Sequence, residues 1–176
     1  MLYELDGVAP TIAPDAWVAP DATVIGNVTL GPRSTIWFKC LVRGDTNRIR
    51  IGAGTNIQDC SILHVNPGEE WVCEIGDDVT VGHACIIHAC KLLDGAFVGM
   101  GATVLDGAVI EGGGMLAAGA LLAPGKRIPA GEMWAGSPAR KMRDITPKDR
   151  AVFDRIAPHY ADLGAKYRER LKPTPG

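Results

Sequence analysis

Histidine is the side chain best suited to hold a divalent metal near neutral pH, because its imidazole is then largely uncharged and keeps a free nitrogen lone pair. The chain has four histidines, and three of them, His64, His83 and His88, lie close together in the middle of the sequence. His64 follows Leu63 and His88 follows Ile87, so each stands directly after an aliphatic residue. A lone histidine in such a place is ordinarily a polar residue packed at a turn. Two in equivalent positions with a third between them fit a metal centre, in which three nitrogens hold the ion and a fourth position stays open to solvent.

A repeat is what could position them. Stepping by six from Ile12 gives Val18, Val24, Leu30, Ile36 and Val42. The phase slips through Gly44-Asp45-Thr46-Asn47, resumes at Ile51, Ile57 and Leu63, breaks across Asn66-Pro67-Gly68-Glu69-Glu70-Trp71, and returns at Ile75, Val81 and Ile87. After a one-residue slip near Leu92-Leu93 it runs Val98, Val104, Ile110, Leu116, Leu122, Ile128 and Trp134. Gly, Asp, Asn and Pro fill the spaces, so each unit reads as a short strand and a turn. A helix would need a 3.6-residue period. With about three units per coil, the aliphatic residues stack inside a triangular prism whose coils rise by the strand spacing of about 4.7–4.9 Å. The expected architecture is an all-β solenoid, a parallel β-helix of hexapeptide repeats over residues 1–140.

That frame decides which histidines can meet. His64 and His88 are 24 residues apart, with one break between them. If the break is an inserted loop of one unit, the remaining 18 residues make one coil and stack the two imidazoles. His83 lies a unit before His88, on a different face, with its side chain diverging. One chain could hardly bring all three onto one ion with metal–nitrogen bonds of about 2.0–2.1 Å. Three prisms packed about a threefold axis would set His83 of one chain against His64 and His88 of the next, giving a homotrimer with three equivalent sites.

The rest of the sequence narrows the field. Composition is 47% hydrophobic and 22% charged with a formal net charge of -2, which offers no basic surplus for nucleic acid. No apolar stretch reaches membrane-spanning length, and the start, Met1-Leu-Tyr-Glu-Leu-Asp-Gly7, lacks the form of a signal peptide, so a cytoplasmic location is expected. Cys40, Cys60, Cys73, Cys85 and Cys90 are an odd set without C-x-x-C spacing, which suits small buried hydrophobes better than a disulfide framework. Thr146-Pro147 forms a helix start, and Val152, Ile156, Tyr160, Leu163, Tyr167 and Leu171 recur at helical spacing, predicting a C-terminal α-helix over 146–171 packed on the prism. The tail Lys172-Pro-Thr-Pro-Gly176 is expected to fray.

Five segments, Val42-Arg-Gly-Asp45, Asn56-Ile-Gln-Asp59, Leu63-His64, Val81-Gly-His83 and Ile87-His88, resemble the γ-class carbonic anhydrase family, in particular its short bacterial members. The resemblance implies a left-handed coil, a hand that periodicity does not set. It implies His64 and His88 as ligands from one subunit and His83 from its neighbour, around zinc, with iron or cobalt as alternatives. It further implies that Gln58 hydrogen-bonds the solvent on the metal with Asn56 orienting it, and that Arg43, Asp45 and Asp59 form an inter-subunit ion-pair cluster. Tyr160 resembles an aromatic residue that short members project near the metal. The implied reaction is the reversible hydration of CO2 to bicarbonate.

The chain also departs from the longer members. They carry a carboxylate where Thr46 stands and a shuttle glutamate on a longer acidic loop; here Glu69, Glu70 and His159 are the available substitutes by residue type. Two rival functions follow. Ala135-Gly-Ser-Pro-Ala-Arg140 is shared with hexapeptide acyltransferases, in which one histidine acts as general base toward an acyl-CoA. The missing carboxylates suit a metal-binding trimeric scaffold without catalysis.

Overall fold

Each six-residue unit points one aliphatic side chain inward, and that residue pairs with its counterpart one coil on. Ile36, Ile57, Val81, Val98 and Leu116 form one such column. Val42, Leu63, Ile87, Val104 and Leu122 form a second, and Ile51, Ile75, Leu92, Ile110 and Ile128 the third. All are buried, and each contributes about 1.5–3 kcal/mol of hydrophobic stabilisation relative to exposure. Ile12, Val18 and Trp134, at the ends of the repeat, are half-buried. The computed structural model describes residues 1–174 and is a parallel β-solenoid of about 7 turns with a helical segment at its C-terminal end. The last two residues of the tail expected to fray, Pro175 and Gly176, lie outside the described residues.

The irregularities of the repeat have distinct structural forms. Across Gly44 to Asn47 the chain stays extended, in a strand running Leu41–Ile51 that bends around a corner of the prism and pairs with Thr23–Leu30. Gly44 permits this, since a Cβ there would lie 2.7 Å from the Asn27 carbonyl oxygen. The break at Asn66–Trp71 is an inserted loop containing a short 3-10 turn, Glu69–Trp71, and Asn47 Nδ2 ties it down by donating to the carbonyls of Asn66 (3.0 Å) and Gly68 (2.6 Å). The one-residue slip sits slightly earlier than its expected place near Leu92-Leu93. Ile87 and Leu92 are both core residues while Leu93 is exposed, so the shortened unit directly follows His88.

The helical segment differs from the expected single helix. Thr146 and Asp149 form a reciprocal capping box with Pro147 at the first turn, but α1 (Pro147–Phe153) stops at Asp154, and α2 (Ile156–Arg170) begins after a break. Val152 is exposed, as is Leu171 just beyond α2. The buried positions of α2 are Ala157, Ala161 and Gly164; a Cβ on Gly164 would stand 2.4 Å from Thr35 Cγ2. The aromatics pack around that seam, with Tyr160 against Trp37 (ring centroids 5.2 Å) and Tyr167 against Trp17 (5.4 Å).

Among the described residues no helix is long and apolar enough to cross a membrane. The five cysteines are free; four are buried and Cys60 is exposed. Burial pushes the Cys40 thiol up to about 12, which makes it an inert core residue.

Candidate metal centre

Strands Leu41–Ile51, Ile62–His64 and Ile86–His88 are neighbours on one face of the prism. The six-residue loop is wholly accommodated outside the coil, so His64 and His88 become register partners and both point outward. His64 Nδ1 faces His88 Nε2 at 3.1 Å. The other nitrogen of each ring meets a carboxylate: His64 Nε2 lies 3.1 Å from Asp45 Oδ1, and His88 Nδ1 lies 2.5 Å from Asp106 Oδ1. Each carboxylate takes the N–H, so the two facing nitrogens present lone pairs to the same space.

This donor set fits a divalent cation. Tetrahedral ligation with bonds of about 2.0–2.1 Å sets ligand nitrogens about 3.3 Å apart, close to the separation seen. His83 stands apart from the pair, at the turn between Thr80–Val81 and Ile86–His88, where the chain rounds a corner. Its Nδ1 lies 2.8 Å from Asp59 Oδ2, and 42% of its side chain is exposed. Among the described residues no three or more His, Cys, Asp or Glu side chains of the protomer converge on a common metal position.

The other expected site residues divide between two places. Arg43 is the register partner of His64 and pairs with Asp45 in the same chain. Burial raises the Asp45 pKa, but the hydrogen bonds from Arg43 and His64 outweigh it and hold the carboxyl below its ordinary value. Asp59 is on neither of these; it supports His83 and accepts from the Phe38 N–H at 3.2 Å.

Gln58 and Asn56 lie on the adjacent face, around the corner that His83 occupies. Gln58 is 5% exposed, and its Nε2 donates to Asn56 Oδ1 at 3.0 Å, while Asn56 Nδ2 donates to Thr80 Oγ1 at 3.0 Å. A groove of about 620 Å3 opens over this corner, and Gln58, His83, Met100, Arg155, His159 and Tyr160 are among its lining residues. Tyr160 comes from α2, and burial, with Asp59 adding to it, pushes its hydroxyl pKa up. Glu69 and Glu70 are exposed on the inserted loop.

Asp106 escaped sequence reasoning altogether, and Asp59 was assigned other partners. Asp59 had a signal in the spacing: it lies 24 residues before His83, the same coil-plus-loop interval that separates His64 from His88. Asp106 did not, because the shortened unit after His88 sets Ile87 opposite Val104, and Asp106 falls one residue past the register position of His88.

The coil and its outward histidines define a hexapeptide-repeat β-helix protein with a carboxylate behind each of three imidazoles, and the hand of the coil in its solved neighbours is left. Comparison with known proteins makes this more specific. The chain is 46% identical over 94% of its length to gamma carbonic anhydrase 1, a mitochondrial protein of Arabidopsis thaliana, and spans 62% of that protein. It is 40% identical to a carbonic anhydrase of Geobacillus kaustophilus, over 96% of this chain and 91% of that one. Among solved structures, a hexapeptide transferase family protein from Anaplasma phagocytophilum superposes with a TM-score of 0.88 at 43% identity, covering 94% of this chain and 97% of that chain. No family model matches. The chain belongs to the γ-class carbonic anhydrase family.

Proposed function

We propose that the chain is the subunit of a homotrimeric carbonic anhydrase that interconverts CO2 and bicarbonate, with one divalent metal, zinc ahead of iron or cobalt, at each subunit interface. The observation that carries this reading is the facing of His64 Nδ1 and His88 Nε2 at 3.1 Å, with their far nitrogens committed to Asp45 and Asp106. Two lone pairs so placed repel unless a cation lies between them. Two ligands leave a tetrahedral site incomplete, and His83, fixed by Asp59 and with its other nitrogen bonded to no group among the described residues, stands at the corner where a neighbouring subunit would meet it. Ile62 and Ile86, 41% and 43% exposed beside the histidine pair, supply an apolar surface for that neighbour to cover.

The bound metal would supply Lewis acidity, lowering the pKa of water to about 7 and so providing a nucleophile at neutral pH. The residues of the chain do the rest. Asn56 holds Gln58 by its amide nitrogen, which turns the Gln58 carbonyl oxygen toward the groove, where it can accept a hydrogen bond from solvent and orient it toward CO2. The apolar side chains Phe97, Met100 and Met115 of the groove suit an apolar substrate. Tyr160 bears on the same space through a hydroxyl that stays protonated at neutral pH. His159, on the rim beside it, is the group best placed to pass a proton to bulk solvent. Free cysteines suit a reducing compartment such as the cytoplasm, although the plant relative is named as mitochondrial.

Metal content measured at a known oligomeric state tests the assembly: one ion per chain in a trimer is expected, and a metal-replete monomer would defeat the reading. Stopped-flow CO2 hydration tests the activity, with turnover in the wild type and none in His64→Ala. A trimer that binds zinc but turns over no faster than that variant would be a scaffold. One observation favours an acyltransferase instead: His83 backed by Asp59 in a groove large enough for more than CO2 has the form of a general base. Thiol release from acetyl-CoA that persists in His64→Ala and vanishes in His83→Ala would establish it.

A further inference from the structure

Asp106 has no role in the reading above beyond accepting one hydrogen bond, yet its surroundings are specialised. Its two oxygens serve different partners. Oδ1 receives the Nδ1–H of His88 at 2.5 Å, and Oδ2 receives the side-chain amide of Asn66 at 3.0 Å. Asn66 opens the inserted loop, and its carbonyl is held by Asn47. A chain of hydrogen bonds thus runs from the strand Leu41–Ile51 through the loop to Asp106 and ends on one imidazole. The three aspartates behind the histidines differ in this respect. Asp45 is paired with a cation, Arg43, and Asp59 is braced by a backbone N–H. Among the described residues, Asp106 forms no salt bridge to lysine or arginine and is braced by the loop amide.

We infer that Asp106 is a positioning residue that fixes His88 in its Nδ1–H tautomer and sets its negative charge behind the ring, where it favours a cation at Nε2, and that the loop, through Asn66, sets how firmly it does so. An isolated neutral imidazole favours the Nε2–H form, which would turn the wrong nitrogen to the shared space. Because Arg43 already draws on the charge of Asp45, Asp106 is, of the two carboxylates behind the His64 and His88 pair, the one with more negative charge left to give an imidazole. The inserted loop then has a purpose besides filling a corner: it makes the affinity of a site built on two stacked strands depend on a segment outside the stack. This inference rests on the metal-binding reading of the site.

The test uses the full-length protein, uniformly labelled with 15N and stripped of metal, together with Asp106→Ala, Asp106→Asn and Asn66→Ala. Long-range 1H–15N spectra report the tautomer of His88. Wild type and Asp106→Asn, which keeps an acceptor oxygen, are expected in the Nδ1–H form, and Asp106→Ala in the Nε2–H form. Zinc affinity, measured by competition with a chromophoric chelator, should fall about 10–100-fold in Asp106→Ala and Asp106→Asn, and by less in Asn66→Ala. Asp94→Asn is the structural control: Asp94 caps the Asp77 N–H at 2.9 Å and bonds none of His64, His83 and His88, so its loss should leave zinc affinity unchanged. An unaltered tautomer in Asp106→Ala, or wild-type affinity in both Asp106→Asn and Asn66→Ala, overturns the positioning role while leaving the metal site standing. A wild-type protein that binds no zinc overturns both.

Discussion

The coils after Leu92 and the coils before it turn the same corners with different residues. In the later half every left-handed turn position is glycine, at Gly95, Gly101, Gly107, Gly113, Gly119, Gly125 and Gly131. In the earlier half Gly26 and Gly54 share it, but the same backbone conformation is also imposed on Arg33, Lys39, Cys60, Asp78, Ala84 and Ala89. A side-chain-bearing residue there costs roughly 1–2 kcal/mol. The later half is therefore a relaxed stack, and the earlier half accepts strain at the turns beside its outward-pointing chemistry. Ala84 and Ala89 directly follow His83 and His88. Strain of this kind persists only where the surrounding packing over-determines the backbone, as the aliphatic columns do here.

The largest expected effect separates the halves by function. His88→Ala should reduce zinc to near zero per chain by elemental analysis while far-ultraviolet circular dichroism stays that of the wild type. A variant that kept its metal would remove the distinction. Next in size is a penalty in the relaxed half. Gly101→Ala meets no atom within 4 Å of the new Cβ, so its cost is backbone strain alone, about 1–2 kcal/mol, read as a lowered thermal midpoint. The reverse exchange in the strained half should be smaller and of opposite sign. Ala84→Gly relieves the turn but loosens the unfolded chain, for a net gain of about 0.5–1 kcal/mol; a loss of stability would show that Ala84 is unstrained.

Much of this division could be read from the sequence. The aliphatic period is local arithmetic, and once the loop is counted as one unit the stacking of His64 on His88 follows from it. The partners Asp59 and Asp106 were hidden because they depend on side chains meeting across coils, where two or three rotamers decide which neighbours touch. The helical segment was legible in type and misread in detail. Its large residues mark the periodicity, but its buried positions are Ala157, Ala161 and Gly164, whose small size lets the backbone of α2 approach the sheet. The halt at Asp154 has no counterpart in that pattern, because Val152 and Ile156 keep helical spacing straight across it.

The smallest effect lies at the start of the helices. Arg143 and the Thr146 cap hold the Asp149 carboxyl well below its ordinary value of 3.8, so the folded state favours the ionised form. The resulting stabilisation is complete above that value and is lost as pH falls below it toward the folded pKa. Asp149→Asn should therefore lower the thermal midpoint slightly at pH 7 and make no difference in strong acid; an equal difference at both would rule out a charge-based cap.

The loop at Asn66–Trp71 leaves the rungs on either side aligned, with Arg50 opposite Glu74 beyond it as Arg43 is opposite His64 before it. Chain length and number of rungs are thereby uncoupled at this corner. Evolution or an engineer could graft a longer excursion there, a recognition hairpin or a tether, and the stack beneath would add no floor and lose none.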